Sequence, residues 1–399
     1  NWSDAGTGFA DAKRQYVLNE NPFTMGSARK CRVRGSGEPL CSASWTPDIT
    51  EAGRYAVYIS YKTLENSTSA AHYTVRHMAG ETSFSVNQTM GGGTWIYLGT
   101  FDFAPDSGNC VILDNGVPEG GIHSKGEVVT ADAVRFGGGM GKIARGNGST
   151  PDNIWATSGL PAYAEGALYS MQWAGVDSTI TRKHDNDYTN DFADRGPWVA
   201  MMSGGSSVNP KTEGKRIPID LCLAFHSDAG THPNDSLVGT LGIYTLKSGG
   251  SRRFPDGGDR SSSRTLSHYV QSQVVGDIHS LHEGLWPRRE TSDRSYSESR
   301  TPDVPAMILE LLSHQNFADM KYGHDPEFKF NVSRAVYKGV LKFLSDRYGV
   351  PYMVQPLPVK DFSATVLQSG KVRLCWKATA DSLEPTAIPE GFIIQTRVD

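Results

Sequence analysis

The stretch Ile217-Pro218-Ile219-Asp220-Leu221-Cys222-Leu223-Ala224-Phe225-His226-Ser227-Asp228-Ala229-Gly230 most constrains the fold. A run of short apolar residues reads as a buried strand, and it ends on a histidine, an acid and a glycine. A second apolar run, Met307-Ile308-Leu309-Glu310-Leu311-Leu312-Ser313-His314, carries a carboxylate in its middle. In an open parallel sheet, groups at the carboxyl ends of strands face the ligand crevice. A lone histidine on an apolar strand is also what a hydrogen-bonded core residue looks like. Glu310 is harder to absorb into a core, because burying an unpaired carboxylate is costly. An ion pair with Arg182 or Arg195 is its structural alternative.

Helical patterns surround these strands. Tyr163, Ala167, Leu168, Met171 and Ala174 share a face over 161–174, stopped by Gly175. Leu266, Val270, Val274, Ile278 and Leu281 predict a helix over 264–283, and Phe328, Val332, Val336, Val340 and Phe343 or Leu344 one over 326–347. Strands are expected at 176–181 and 237–246. Strands alternating with helices from 160 to 350 predict an α/β domain with a mostly parallel sheet.

Residues 1–141 read differently. Tyr55–Tyr61, Ala71–His77, Trp95–Phe103, Cys110–Asp114 and Val128–Phe136 alternate β-formers between Gly, Pro and Asn turns. That pattern predicts an all-β sandwich or jelly roll. Trp2, Tyr55 and Trp95 are conceivable sugar platforms, with core packing the competing role for Trp95. Asp132 lacks the neighbouring acids a calcium site needs. Glycine clusters make 142–159 a linker, and 356–399 reads as a truncated β-sandwich with strands at 359–367, 371–376 and 390–398.

With 43 glycines and 21 prolines in 399 residues, the composition suits a multidomain chain rich in strands and turns. A formal net charge of -4 argues against general nucleic-acid or membrane-surface binding. No apolar run approaches the ~18 residues that span a bilayer. Of the five cysteines, Cys31 and Cys41 can bridge across a hairpin or stay free, and Cys222 reads as a small core residue. The chain starts on Asn1, so any export signal lies outside what can be read.

Phe84-Ser85-Val86-Asn87-Gln88, Gly91-Gly92-Gly93-Thr94-Trp95-Ile96-Tyr97-Leu98-Gly99-Thr100-Phe101 and Ala131-Asp132-Ala133-Val134-Arg135-Phe136 resemble the golvesin or xanthan-lyase-associated domain. That resemblance implies a carbohydrate-binding-module-like sandwich. Leu223–Ala229 is similar to the strand bearing the second zinc histidine of zinc-dependent N-acetylmuramoyl-L-alanine amidases. Met307–Met320 resembles the strand that ends in their catalytic glutamate, and Ile180-Thr181-Arg182 to Arg195-Gly196 their Thr-Arg…Arg segment. Val372-Arg373-Leu374-Cys375-Trp376 resembles a fibronectin type III strand. The amidase resemblance implies a phosphorylase/hydrolase-like fold and cleavage of the bond between a lactyl carbonyl and L-alanine in peptidoglycan.

Carried over by residue, the resemblance makes His226 a zinc ligand, Glu310 the general base and Asp228 a group that orients a ligand or the loop. Glu165 is the candidate for the family's glutamate ligand. The first histidine ligand has no match, and the expectation is that it precedes Asn1 and that this piece is inactive alone. His232, His279, His282 and His314 are the possible substitutes. The partner implied is peptidoglycan or another bacterial surface glycan, with no nucleic acid, for an exported protein. The rival expectation is a non-catalytic glycan-binding surface protein. A polysaccharide lyase would need a Tyr/His/Arg constellation that these residues do not assemble.

Overall fold

The computed structural model describes residues 2–9, 15–16, 20–35, 37–117, 120, 126–137, 142–143, 166–181, 183–232 and 234–394. Glu165, Arg182 and most of the segment 142–159 lie outside the described residues. The chain divides into two compact units, Asn1–Ile219 and Asp220–Ile394. The sequence pattern opens the α/β domain at 160, whereas the second unit begins at Asp220.

The first unit contains strands β1 (Ser3–Gly8), β2 (Gly26–Arg32), β3 (Ser42–Trp45), β4 (Gly53–Ser60), β5 (Ala71–His77), β6 (Gly80–Val86), β7 (Ile96–Phe103), β8 (Cys110–Asp114), β9 (Val128–Ala131) and β10 (Ala133–Phe136). They form antiparallel sheets of order β3-β8-β5-β6, β1-β2-β9 and β10-β4-β7. Val57 and Ile59, Tyr73 and Val75, and Val111 and Leu113 are all fully buried, two residues apart on three strands. That spacing matches the alternation of a pleated strand. The expected strand over 128–136 divides at Asp132. Its carboxylate accepts from the Phe9 N–H at 2.6 Å and the Ser60 hydroxyl at 2.9 Å, so the chain leaves one sheet and joins another there. Trp95 packs against Phe9 and Phe23, with ring centroids 4.9 and 5.3 Å apart, which is the core role rather than an open platform.

Helices α1 (Ala167–Trp173), α2 (Ser178–Thr181), α3 (Asp187–Ala193) and α4 (Arg195–Ser203) also belong to the first unit. Leu168, Met171 and Ala174 are buried as the helical spacing predicts, and Gly175 ends the turn at φ 77. The strand expected over 176–181 is overturned. Residues 178–181 are a helical turn, because the Asp177 side chain caps the Thr179 N–H at 2.8 Å.

The second unit holds β11 (Cys222–Asp228), β12 (Leu241–Tyr244), α5 (Ser261–Leu281), β13 (Ser292–Asp293), α6 (Ser297–Arg300), β14 (Ala306–Ser313), α7 (Phe317–Gly323), α8 (Pro326–Tyr348), β15 (Lys360–Val366) and β16 (Val372–Lys377). Its main sheet has the order β11-β14-β12-β13. β14 runs parallel to β11 but antiparallel to β12, so the sheet is mixed, with two of its three strand pairings parallel. The reason is local. Only the loop after Asp228 joins β11 to β12, and without a crossover helix the second strand returns in the opposite direction. β12 and β13, separated by α5, do pair in parallel.

Leu266, Val270, Val274 and Ile278 of α5 and Phe328, Val332, Ala335 and Phe343 of α8 form one buried cluster. Leu281, placed in that stripe by its spacing, is 46% exposed at the helix end. α5 and α8 approach closely at Gly339, where a Cβ would lie 2.7 Å from the Val270 Cα. Gly339→Ala should therefore destabilise the unit by about 1–3 kcal/mol through overpacking. Gly276→Ala, with open space around it, should stabilise by up to about 1 kcal/mol through helix propensity. Urea midpoints of the two variants should move in opposite directions.

β15 and β16 make a two-stranded antiparallel hairpin, and every residue of β15 is exposed. Residues 390–394 are not a strand, contrary to expectation, and 395–398 lie outside the described residues. Trp376 packs instead on Phe392, centroids 5.5 Å apart.

Candidate active site

β11 and β14 pair in register from Cys222↔Ala306 to His226↔Glu310. Cross-strand partners in such a ladder point to the same face, so the imidazole and the carboxylate are immediate neighbours. The register then slips at a bulge, and Asp228 comes opposite Ser313.

A third group joins them. Glu298 of α6 is buried, and its Oε1 and Oε2 lie 3.1 and 3.0 Å from the His226 Nε2. α6 is fixed by Ser299, whose hydroxyl is 2.7 Å from the Thr245 hydroxyl and 3.2 Å from the Arg294 carbonyl that it donates to. Nothing about Ser297-Glu298-Ser299 stood out in the sequence. The helix is four residues long, too short for periodicity to register.

Glu310 is half-buried, and its Oε2 is shut off from solvent without a hydrogen-bond partner among the described residues. Burial pushes its carboxyl up from the ordinary range, and the Asp228 and Glu298 carboxylates act in the same sense. His226 and Arg289 oppose them. Of the two arginines weighed as alternative ion-pair partners for Glu310, Arg195 places its Nη2 2.6 Å from the Asp191 Oδ2, and Arg182 lies outside the described residues.

Asp228 is the opposite case. Burial works against its charge, but Arg289 Nη1 at 2.6 Å and the Ala229 N–H at 2.7 Å hold its carboxyl below the ordinary range. Asp228 is thus held as an anion, whereas burial disfavours the charged form of Glu310. Arg289 had no sequence signal, since it lies outside any apolar strand and away from the arginines of 252–264.

Beside His226 opens a cavity of 510 Å³ walled by Phe225, Leu311, Met320 and Phe328, with Ser227 and His314 contributing polar atoms. His314 Nδ1 is 3.1 Å from the Ser227 hydroxyl. The other substitute histidines are engaged elsewhere. His279 Nε2 donates to the Trp286 carbonyl at 2.7 Å, His282 Nε2 accepts from Asn331 at 3.1 Å, and His232 Nδ1 is 3.1 Å from the Ser236 hydroxyl.

Zinc asks for three protein ligands around an open position. Among the described residues no cluster of three or more His, Cys, Asp or Glu side chains can hold an ion. His226 Nε2 faces the Glu298 carboxylate, and Glu165 lies outside the described residues. The described residues alone do not fit a complete zinc set. No helix among them is long and apolar enough to cross a membrane.

Residues 24–138 match the family model described as Golvesin C-terminal domain. A stretch of 104 residues, 25% of this chain, is 36% identical to the xanthan lyase of Bacillus sp. (strain GL1) and covers 10% of it. The chain thus spans about a tenth of the length of this curated relative. Among solved structures, Paenibacillus xanthan lyase is 24% identical with a TM-score of 0.26, over 34% of this chain and 11% of that one. The N-acetylmuramoyl-L-alanine amidase from Clostridium difficile 630 is 17% identical with a TM-score of 0.26, over 32% and 59%. The CwlD amidase from Clostridioides difficile, solved in complex with the GerS lipoprotein, is 16% identical with a TM-score of 0.29, over 40% and 64%.

Proposed function

We propose that this chain is part of an exported peptidoglycan hydrolase of the N-acetylmuramoyl-L-alanine amidase type, joined to a glycan-binding sandwich. One observation carries the reading: His226 and Glu310, far apart in sequence, are register partners on adjacent parallel strands. Glu298 orients the imidazole through its Nε2, and Arg289 neutralises Asp228. Glu310 is left as a carboxyl whose charged form burial disfavours, suited to accept a proton from an attacking water. The module division 1–141, 160–350 and 356–399, the last fibronectin-like, belongs to the same proposal.

Zinc is part of this proposal without a step assigned to it. An ion at His226 would draw its remaining ligands from outside the described residues, with Glu165 the one offered by the resemblance. Metal content by mass spectrometry, and zinc titration of His226→Ala against the parent, test that point independently of turnover. For the activity, the purified full-length protein, of which this chain is proposed to be part, is incubated with isolated peptidoglycan with and without zinc, and released peptides are identified by mass. New L-alanine amino termini are expected. Intact sacculi under both conditions would sink the hydrolase reading. They would favour the second one, a non-catalytic glycan-binding surface protein, which the Glu298 carboxylate facing His226 Nε2 also supports.

A further inference from the structure

The first unit has a groove of 410 Å³ lined by Trp2, Ser27, Arg29, Ser44, Trp45 and Asp132. Two features separate it from an ordinary surface depression. Both indoles are only partly buried against the core and both line the groove, so each presents ring surface to it. The Trp2 ring is held by its edge, where Nε1 donates to the Ser42 carbonyl at 3.1 Å, which spends its polar atom on the protein. What is left toward the groove is flat and apolar.

Polar groups of both kinds accompany these rings. Arg29 is exposed and makes no ion pair among the described residues. Asp132 takes one hydrogen bond on each oxygen, from Phe9 and from Ser60, and each carboxylate oxygen has a second lone pair to offer. Ser27 and Ser44 are exposed hydroxyls on the neighbouring strands. A pyranose ring has matching needs: an apolar face of C–H groups for an indole, and hydroxyls that both donate and accept around its rim. An unneutralised guanidinium adds a preference for a sugar that carries a carboxylate.

We propose that this groove is a subsite for one pyranose of an acidic polysaccharide, with Trp2 and Trp45 as the stacking surface and Arg29 and Asp132 as the polar clamp. The assignment rests on reading the first unit as a glycan-binding module. It adds Trp45, Arg29 and Asp132, none of which sequence reasoning marked for this role.

Affinity electrophoresis of the full chain through gels containing alginate, xanthan or neutral hydroxyethylcellulose tests it. Retardation is expected in the acidic gels. Trp45→Ala and Ser44→Trp should each weaken it by about tenfold in Kd or more. Ser44→Trp matters because it fills the groove from an exposed position and leaves the core indoles in place. Arg29→Ala should weaken retention by alginate more than by the neutral gel. If the parent is retained and Ser44→Trp is retained equally, the groove is the wrong place and the glycan-binding reading stands. If the parent is retained by none of the gels nor by isolated peptidoglycan, that reading falls and the subsite with it.

Discussion

Glu310→Gln is expected to remove hydrolytic activity while making the second unit more stable at neutral pH. The amide keeps the shape of the side chain but can neither take nor return a proton. Loss of a positioned acid–base group lowers turnover by about 10²- to 10⁴-fold. The stability effect has the opposite sign. Glu310 has a folded-state pKa raised above its ordinary 4.5, chiefly by burial. Below that ordinary value the group is protonated both folded and unfolded, and its contribution is fully present. As pH rises through the raised folded value, the folded state must ionise in a site that disfavours the charge, and stability is lost. Gln never incurs that loss. Thermal melts at pH 4 and pH 7 should therefore show the variant gaining on the parent as pH rises. A variant that keeps its turnover, or gains nothing at pH 7, contradicts the role assigned to Glu310.

Asp319→Ala is expected to cost about 3–5 kcal/mol, enough to unfold much of the second unit at moderate urea. Asp319 is fully buried, and its carboxylate collects three backbone N–H groups, from Ser313 at 2.8 Å, Val238 at 2.9 Å and Gly239 at 3.2 Å. Removing it strands three buried donors at once. Because Ser313 ends the strand that carries Glu310, the site should loosen together with the fold. Asp319→Asn, which keeps one acceptor oxygen, should fall between the parent and the alanine variant. A loss below about 1 kcal/mol for alanine would mean that water replaces the carboxylate.

How much of this was legible in the sequence depends on element length. α5 and α8 were readable because four or more buried side chains repeat at helical spacing along them. β11 and β14 were readable as apolar runs, and His226 and Glu310 stood out because they break those runs. Glu298 and Arg289 were not, since their positions are set by a one-turn helix and by the stretch between Trp286 and β13, where no periodicity operates. Val176 to Thr181 misled for a related reason. Val and Ile favour strands, but the Asp177 cap and the packing of Val176 and Ile180 against Met171 decide for a helical turn. The direction of β12 was hidden too, because a short apolar run does not state which neighbour it will join.

The order of strands in the main sheet has a consequence for how the molecule comes into being. β14 is the last of the four to be synthesised, yet it lies between β11 and β12. Until the ribosome has passed Ser313, those two strands have no common neighbour, and His226 faces an unpaired edge. Assembly of the sheet must wait for a long-range contact across the whole of α5, a topology that folds slowly and late. The site therefore cannot be armed before Ser313 has been made, and any activity of this unit begins only after that point.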